Sequence, residues 1–162
     1  MGRAASLVLP VPHGGGAVLR QVPLPDEVWE LDRPPVMLDR MSRGLGDFGA
    51  LLARVAPEGL HGAAFRCEAW TVESRGPAGS KACDDLKREQ HAGRLHVHPD
   101  RREERAVWAV DRAGITYGAM LLRGDTVARA QVSYPGPAKR ITGTVPEALE
   151  RIVMAVLGVS LA

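Results

Sequence analysis

Alternating hydrophobic and polar positions make residues 103–134 the most regular part of the chain. Three runs with a period of two predict three consecutive β-strands, because successive side chains of a strand point to opposite faces. Asp111–Gly114 suits a type I turn closed by a glycine with positive φ, and Gly124–Asp125 suits a two-residue type II′ turn. This segment is therefore predicted to be an antiparallel meander.

The two turns also predict how the three strands pair. They place Asp111 opposite Ile115 and Arg123 opposite Thr126. A shift by one residue would exchange the two faces, so this register decides which side chains are buried. One face is apolar throughout and is predicted to be the core face: Val107, Ala109, Ile115, Tyr117, Ala119, Leu121, Ala128, Ala130, Val132 and Tyr134.

The opposite face of the predicted meander mixes polar and apolar side chains. Trp108, Met120, Leu122 and Val127 lie together on it in this register. A contiguous apolar patch of this kind is unusual on a soluble monomer. These four residues, together with Trp29 from the N-terminal segment, are therefore predicted to form an interaction surface. The simplest assembly is a homo-oligomer, a two-fold dimer in which the same patch meets itself.

The segment between residues 35 and 91 is predicted to contain two helices separated by a strand. Apolar residues recur at three- and four-residue steps over Pro35–Val55, which indicates the first helix. Leu60–Glu73 is rich in β-branched and aromatic residues and is predicted to be the strand. Ser80 is placed to cap a short polar helix that ends near His91.

The C-terminal residues are predicted to form a last helix with an apolar face. Thr144 and Glu147 have the spacing of a capping box, in which the threonine caps the helix and the glutamate lies three residues later. Ile152 and Val153 lie on the apolar face and are expected in the core. The fold class is therefore α+β, with an antiparallel sheet of about four strands, helices packed on one face, and the order α-β-α-β-β-β-α.

The first 34 residues differ from the rest by their prolines and the run Gly14–Gly16. Both residue types disfavour a helix there. Ser6–Val11 and Ala17–Val22 could pair as an edge hairpin, or the segment could be an extended arm. The domain organisation expected is thus an extended, Pro/Gly-rich segment at residues 1–34, followed by a single α+β domain at residues 35–162.

Composition narrows the classes of partner. The chain has 21 Lys+Arg and 19 Asp+Glu, a net charge of +2, and its densest basic run, Arg101–Arg105, contains two glutamates. This balance argues against nucleic acid as a partner. No apolar run reaches the roughly 18 residues of a membrane helix, so no membrane partner is expected. Two cysteines are too few for a disulfide scaffold and suit a reducing, cytoplasmic location.

His96, His98 and Asp100 are the best candidates for metal ligands. In an extended backbone their side chains would project to the same side, and imidazole with carboxylate suits Zn²⁺ or a similar divalent ion. The other interpretation, which we favour, is a solvated connector that enters the sheet. No cofactor is expected.

The chain contains no G-x-S-x-G, HExxH, GxGxxG or EF-hand motif, so no catalytic residue is assigned. Its abundant arginine, glycine and proline are typical of a GC-rich bacterial genome or its phage. The sequence therefore predicts a non-catalytic protein-interaction or assembly protein that binds itself or another protein. The alternative is a small metal-dependent enzyme or metal-binding protein that uses His96 and His98.

Overall fold

A computed structural model describes residues 5–57, 59–72, 77, 79–92, 94–136, 141 and 143–157. Within these residues the strands are β1 (Ser6–His13), β2 (Gly16–Gln21), β3 (Gly62–Thr71), β4 (Arg102–Asp111), β5 (Thr116–Leu122) and β6 (Arg129–Ser133). The helices are α1 (Asp26–Glu30), α2 (Pro34–Arg43), α3 (Leu45–Val55), α4 (Lys81–His91) and α5 (Thr144–Val156), and Leu95–Val97 forms a 3₁₀ turn. The predicted α+β class is confirmed, and none of these helices is long and apolar enough to cross a membrane.

All six strands belong to one antiparallel sheet with the order β2-β1-β3-β4-β5-β6. About four strands were expected, and the two additional ones are β1 and β2 from the N-terminal residues. They pair as a hairpin, which was one of the two structures expected for this segment. β1 lies between β2 and β3, and Leu7, Leu9 and Val11 from it are buried. The described part of the N-terminal segment, residues 5–34, therefore shares the sheet and the core with the rest of the chain.

The predicted pairing of the meander is confirmed. The Asp111 amide donates to the Ile115 carbonyl oxygen at 3.0 Å, and Gly114 has a φ of +80°, as the first turn requires. The pairs along the strands include Ala109 with Tyr117, Trp108 with Gly118, Ala119 with Ala130, and Tyr117 with Val132. The second turn differs from the predicted two-residue turn at Gly124–Asp125, because it spans Leu122–Asp125 with Gly124 as its third residue. The register of the strands that it joins is nevertheless the predicted one.

The face of the meander that packs against the helices is the opposite of the predicted one. The core takes alternate residues from the sheet: Leu7, Leu9, Val11, Ala63, Phe65, Cys67, Ala106 and Val110. Trp108 and Met120 pack against this cluster, whereas Val107, Tyr117, Val132 and Tyr134 are exposed. The reason is the pairing of β3 with β4, which aligns Phe65 with Trp108 and so places both on the same face.

Two helices differ from the sequence-based expectation. The predicted helix Pro35–Val55 is divided at Gly44, whose φ of −103° and ψ of +61° end α2 before α3 begins. The short helix α1 lies within residues 1–34, where no helix was expected. It contains no proline or glycine, and it places the centroid of the buried Trp29 ring 5.4 Å from the centroid of the Phe65 ring, so an aromatic contact joins the helix to the sheet.

A partly buried polar cluster joins α2 to α5. Arg151 donates to the Ser42 hydroxyl at 3.0 Å and forms an ion pair with Asp39, which also accepts from Arg43 at 2.9 Å. The hydrogen bond from Arg43 and the nearby charge of Arg151 lower the pKa of Asp39. These charge-assisted contacts fix the angle between the two helices in addition to their apolar packing.

The start of α5 differs from the predicted capping box. Thr144 is the first helical residue, Gly143 is the cap, and no side-chain cap bond is present there. Glu147 accepts a hydrogen bond from the Gly143 amide at 3.3 Å, so only the glutamate half of the box forms. Gly143 has a φ of +136° and a ψ of +170°, a conformation almost restricted to glycine.

We expect Gly143→Ala to lower the free energy of unfolding by about 1–3 kcal/mol, because alanine is strained in this backbone conformation. Thr144→Ala should change it by less than about 0.5 kcal/mol, since Thr144 is exposed and makes no cap bond. Denaturant unfolding of both variants measures the difference. A larger loss for Thr144→Ala than for Gly143→Ala would contradict this account of the cap.

Ile152→Ala should lower the free energy of unfolding by about 2–5 kcal/mol, because Ile152 is fully buried and the smaller side chain leaves a cavity. Val127→Ala, at an exposed position, is the control and should stay within about 0.5 kcal/mol of the wild type. Equal denaturant midpoints for the two variants would show that α5 does not pack on the sheet as described.

Candidate interaction surface

The outer face is the side of the sheet opposite α5, which packs over β3 and β4. Its position follows from the strand register, which aligns outward-pointing residues in rows across the sheet. One row runs across five strands and consists of Val8, Ala64, Ala109, Tyr117 and Val132. The next row consists of Ser6, Arg66, Val107, Ala119 and Ala130. The outer face is thus mainly small and apolar at its centre.

Several large apolar side chains of the outer face are in contact with solvent. The exposed fractions are 42% for Val107, 39% for Tyr117 and 51% for Val132. Leu19 on the edge strand β2 is 69% exposed. An antiparallel sheet with one solvated face normally carries polar residues there. The outer face departs from that pattern and is the apolar surface that needs an explanation.

Tyr117 is held in place by the first turn of the meander. The Asp111 carboxylate accepts from the amides of Ala113 and Ile115 at 2.9 Å, and from the Tyr117 hydroxyl at 3.0 Å. The hydrogen bond to Asp111 raises the pKa of Tyr117, with smaller contributions from desolvation, the Asp111 charge and Tyr134. Tyr117 is therefore a neutral, oriented ring that offers its apolar surface to a partner.

Charged residues gather at one end of the outer face and are paired there. Glu68 and Arg105 lie on adjacent strands with 3.4 Å between carboxylate and guanidinium, and Glu103 pairs with Arg123 at 2.7 Å. A pocket of about 380 Å³ lies beside them and also contains Glu104, whose pKa is raised by burial. Because the ion pairs border the apolar rows, this end has the character of a polar rim.

The structure does not bring the predicted interaction residues together on an exposed face. Leu122 and Trp29 are buried, and Trp108 and Met120 are partly buried against the core. Val127 is exposed, but it lies in the connection between β5 and β6. The predicted patch of Trp108, Met120, Leu122, Val127 and Trp29 is thus wrong as an exposed surface, since helices cover the face that was expected to be open.

The contact of Trp108 with Gly118 explains part of this arrangement. The two residues are paired across β4 and β5, and a Cβ atom on residue 118 would lie 2.5 Å from the Trp108 ring. The glycine therefore leaves the space that the indole fills on the inner face. The exposed apolar surface is formed instead by Val107, Tyr117 and Val132, which the sequence analysis had assigned to the core.

The proposed metal ligands do not lie on an extended backbone. Leu95–Val97 forms a 3₁₀ turn, so His96, His98 and Asp100 do not alternate as in a strand. The His98 Nδ1 atom accepts a hydrogen bond from the Asp100 amide at 3.1 Å. Over the ranges that the structure describes, no group of three or more His, Cys, Asp or Glu side chains is arranged to hold a metal ion.

Comparison of the chain with protein-family models, with curated proteins and with solved structures gives no match.

The two cysteines should differ sharply in reactivity. Burial and the neighbouring carboxylates of Glu104 and Glu68 raise the pKa of Cys67 to about 12, whereas Cys83 is only partly buried. Because the thiolate is the reactive form, Ellman's reagent at mildly alkaline pH should modify Cys83 in the folded protein and Cys67 only after unfolding. Thiol release in the Cys83→Ser variant before unfolding would contradict the burial of Cys67.

Proposed function

We propose that this chain is a non-catalytic protein-interaction or assembly protein whose partner binds the outer face. The observation that carries the proposal is the exposure of Val107, Tyr117 and Val132 on one face of a sheet whose other face forms the core. Removing such side chains from water on association is favourable in proportion to the apolar area buried. A partner protein provides that burial.

The shape and rigidity of the outer face support this role. It is built on paired strands rather than on loops, so its side chains need little ordering when a partner binds. Tyr117 adds an aromatic ring, a residue type that is enriched at protein interfaces. The paired charges at one end of the face supply the polar border that such interfaces usually have.

The charges on the strands argue for a protein rather than a nucleic acid as partner. The outward positions of β3 and β4 carry Arg66 and Arg105 but also Glu68, Glu103 and Asp111. Affinity for nucleic acid comes largely from an excess of basic side chains near the phosphates. The outer face has no such excess of basic side chains. We further propose that the chain and its partner are cytoplasmic.

Site-specific photocrosslinking in cells that produce the chain tests the proposal. A photoreactive amino acid at Val132 should form adducts with a partner protein on irradiation, because this position lies on the outer face. The same amino acid at Val127, which is also exposed but lies outside the face, is the matched control and should form few. A second copy of the chain counts as a partner here.

The pattern of adducts decides the outcome. Adducts at Val132 that are absent at Val127 support the outer face as the interaction surface. Equal adducts at both positions, or none at Val132, would show that this face does not bind a protein.

A further inference from the structure

We propose that the partner of the outer face is a second copy of this chain, bound face to face about a two-fold axis that runs parallel to the strands between β3 and β4. The inference rests on the proposed function of the outer face and adds the identity and the geometry of the partner. Its basis is the size of the face, the symmetry of the strand order and the positions of the charged residues.

The size of the outer face suits a stable dimer. Six strands spaced about 4.8 Å apart, with about seven residues each at roughly 3.3 Å, cover about 700 Å². A standard specific interface buries about 800 Å² on each partner. One further copy of the same face therefore provides an interface of ordinary size.

The strand order is balanced about the junction of β3 and β4, with three strands on each side. A two-fold axis at this junction places β3 over the partner's β4, β1 over its β5 and β2 over its β6. Side chains in the same row then meet. Near the axis these are Ala64 and Ala109, whose small size allows the sheets to approach closely, and farther out Val8 faces the partner's Tyr117.

The charged residues favour a two-fold axis between β3 and β4 over one that runs along either strand. Glu68 and Arg105 are directly opposite each other on β3 and β4, so an axis between the strands sets each against the opposite charge of the partner. An axis along β3 would set Glu68 against the partner's Glu68, and an axis along β4 would set Arg105 against the partner's Arg105. Like charges in contact are costly, so the axis between β3 and β4 is favoured.

The first test measures the mass of the full chain in solution by sedimentation equilibrium at micromolar concentrations. The wild type should have twice the chain mass of 17.4 kDa. Val107→Arg and Val132→Glu should shift it towards the monomer, because the first sets a positive charge against the partner's Arg66 and the second places a charge within an apolar row. Val127→Glu, the matched control outside the face, should remain a dimer. A monomeric wild type, or equal effects of all three variants, would overturn the proposal.

A measurement on the wild type alone covers the case in which a variant fails to fold. The chain has two tyrosines, and one of them, Tyr117, lies on the outer face. Hydroxyl-radical oxidation of Tyr117 should fall by at least about threefold between dilute and concentrated protein, because the dimer shields the ring. Oxidation that does not change while the mass doubles would show that the dimer uses another surface and would overturn the proposal.

Charge exchange tests the position of the axis. Glu68→Arg and Arg105→Glu alone should each weaken the dimer by about tenfold or more, since each sets like charges together in the interface. The double variant restores opposite charges and should return the dissociation constant to within about threefold of the wild type. Single variants without effect, or a double variant that stays weak, would overturn this geometry.

The two proposals can fail separately. If the wild type is monomeric and photocrosslinking at Val132 captures a different protein, the dimer is wrong and the proposed function stands. If the wild type is monomeric and no adducts form at Val132, both are wrong.

Discussion

The antiparallel ladder between β3 and β4 is the contact on which the other parts of the structure depend. It runs over ten residue pairs, from Gly62 opposite Asp111 to Thr71 opposite Arg102, and is the only join between the N-terminal three strands and the meander within the described sheet. Gly62 is required at its end, because a Cβ atom there would lie 2.5 Å from the Val110 carbonyl oxygen. The ladder therefore decides which side chains of the meander face the helices.

The inner face follows from this ladder. It aligns Phe65 with Trp108 and Cys67 with Ala106, and β1 adds its own buried residues beside Phe65. α5 then packs over β3 and β4, and the cluster of Arg151, Ser42 and Asp39 holds α2 against α5. Since the helices occupy this side, the more uniformly apolar side of the meander is left open. The surface proposed for association is thus a direct consequence of the way the core is built.

Trp108, Met120 and Leu122 face the core, contrary to expectation, for a reason that lies in β3. The register of the meander was predicted correctly, but both of its faces carry enough apolar residues to form a core, so its own pattern does not decide between them. In β3 the alternation is clear, because Phe65 and Cys67 are apolar whereas Arg66 and Glu68 are charged. Pairing β3 with β4 places Arg66 beside Val107 and would have identified the open face. That pairing joins residues separated by the whole of the α4 region, and no turn sequence specifies it.

Features that arise within a few residues could be inferred from the amino acids alone. The Asp111–Gly114 turn, the strand at β3, the cap at Ser80 and the apolar face of α5 depend on neighbouring side chains and backbone, and all four were predicted. Features that depend on distant partners could not. β1 is an interior strand because β3 pairs with it, α1 is stabilised by the contact of Trp29 with Phe65, and the exposed face depends on which side the helices cover. Local backbone preferences act within a turn or two of chain, whereas burial is decided only when separate elements meet.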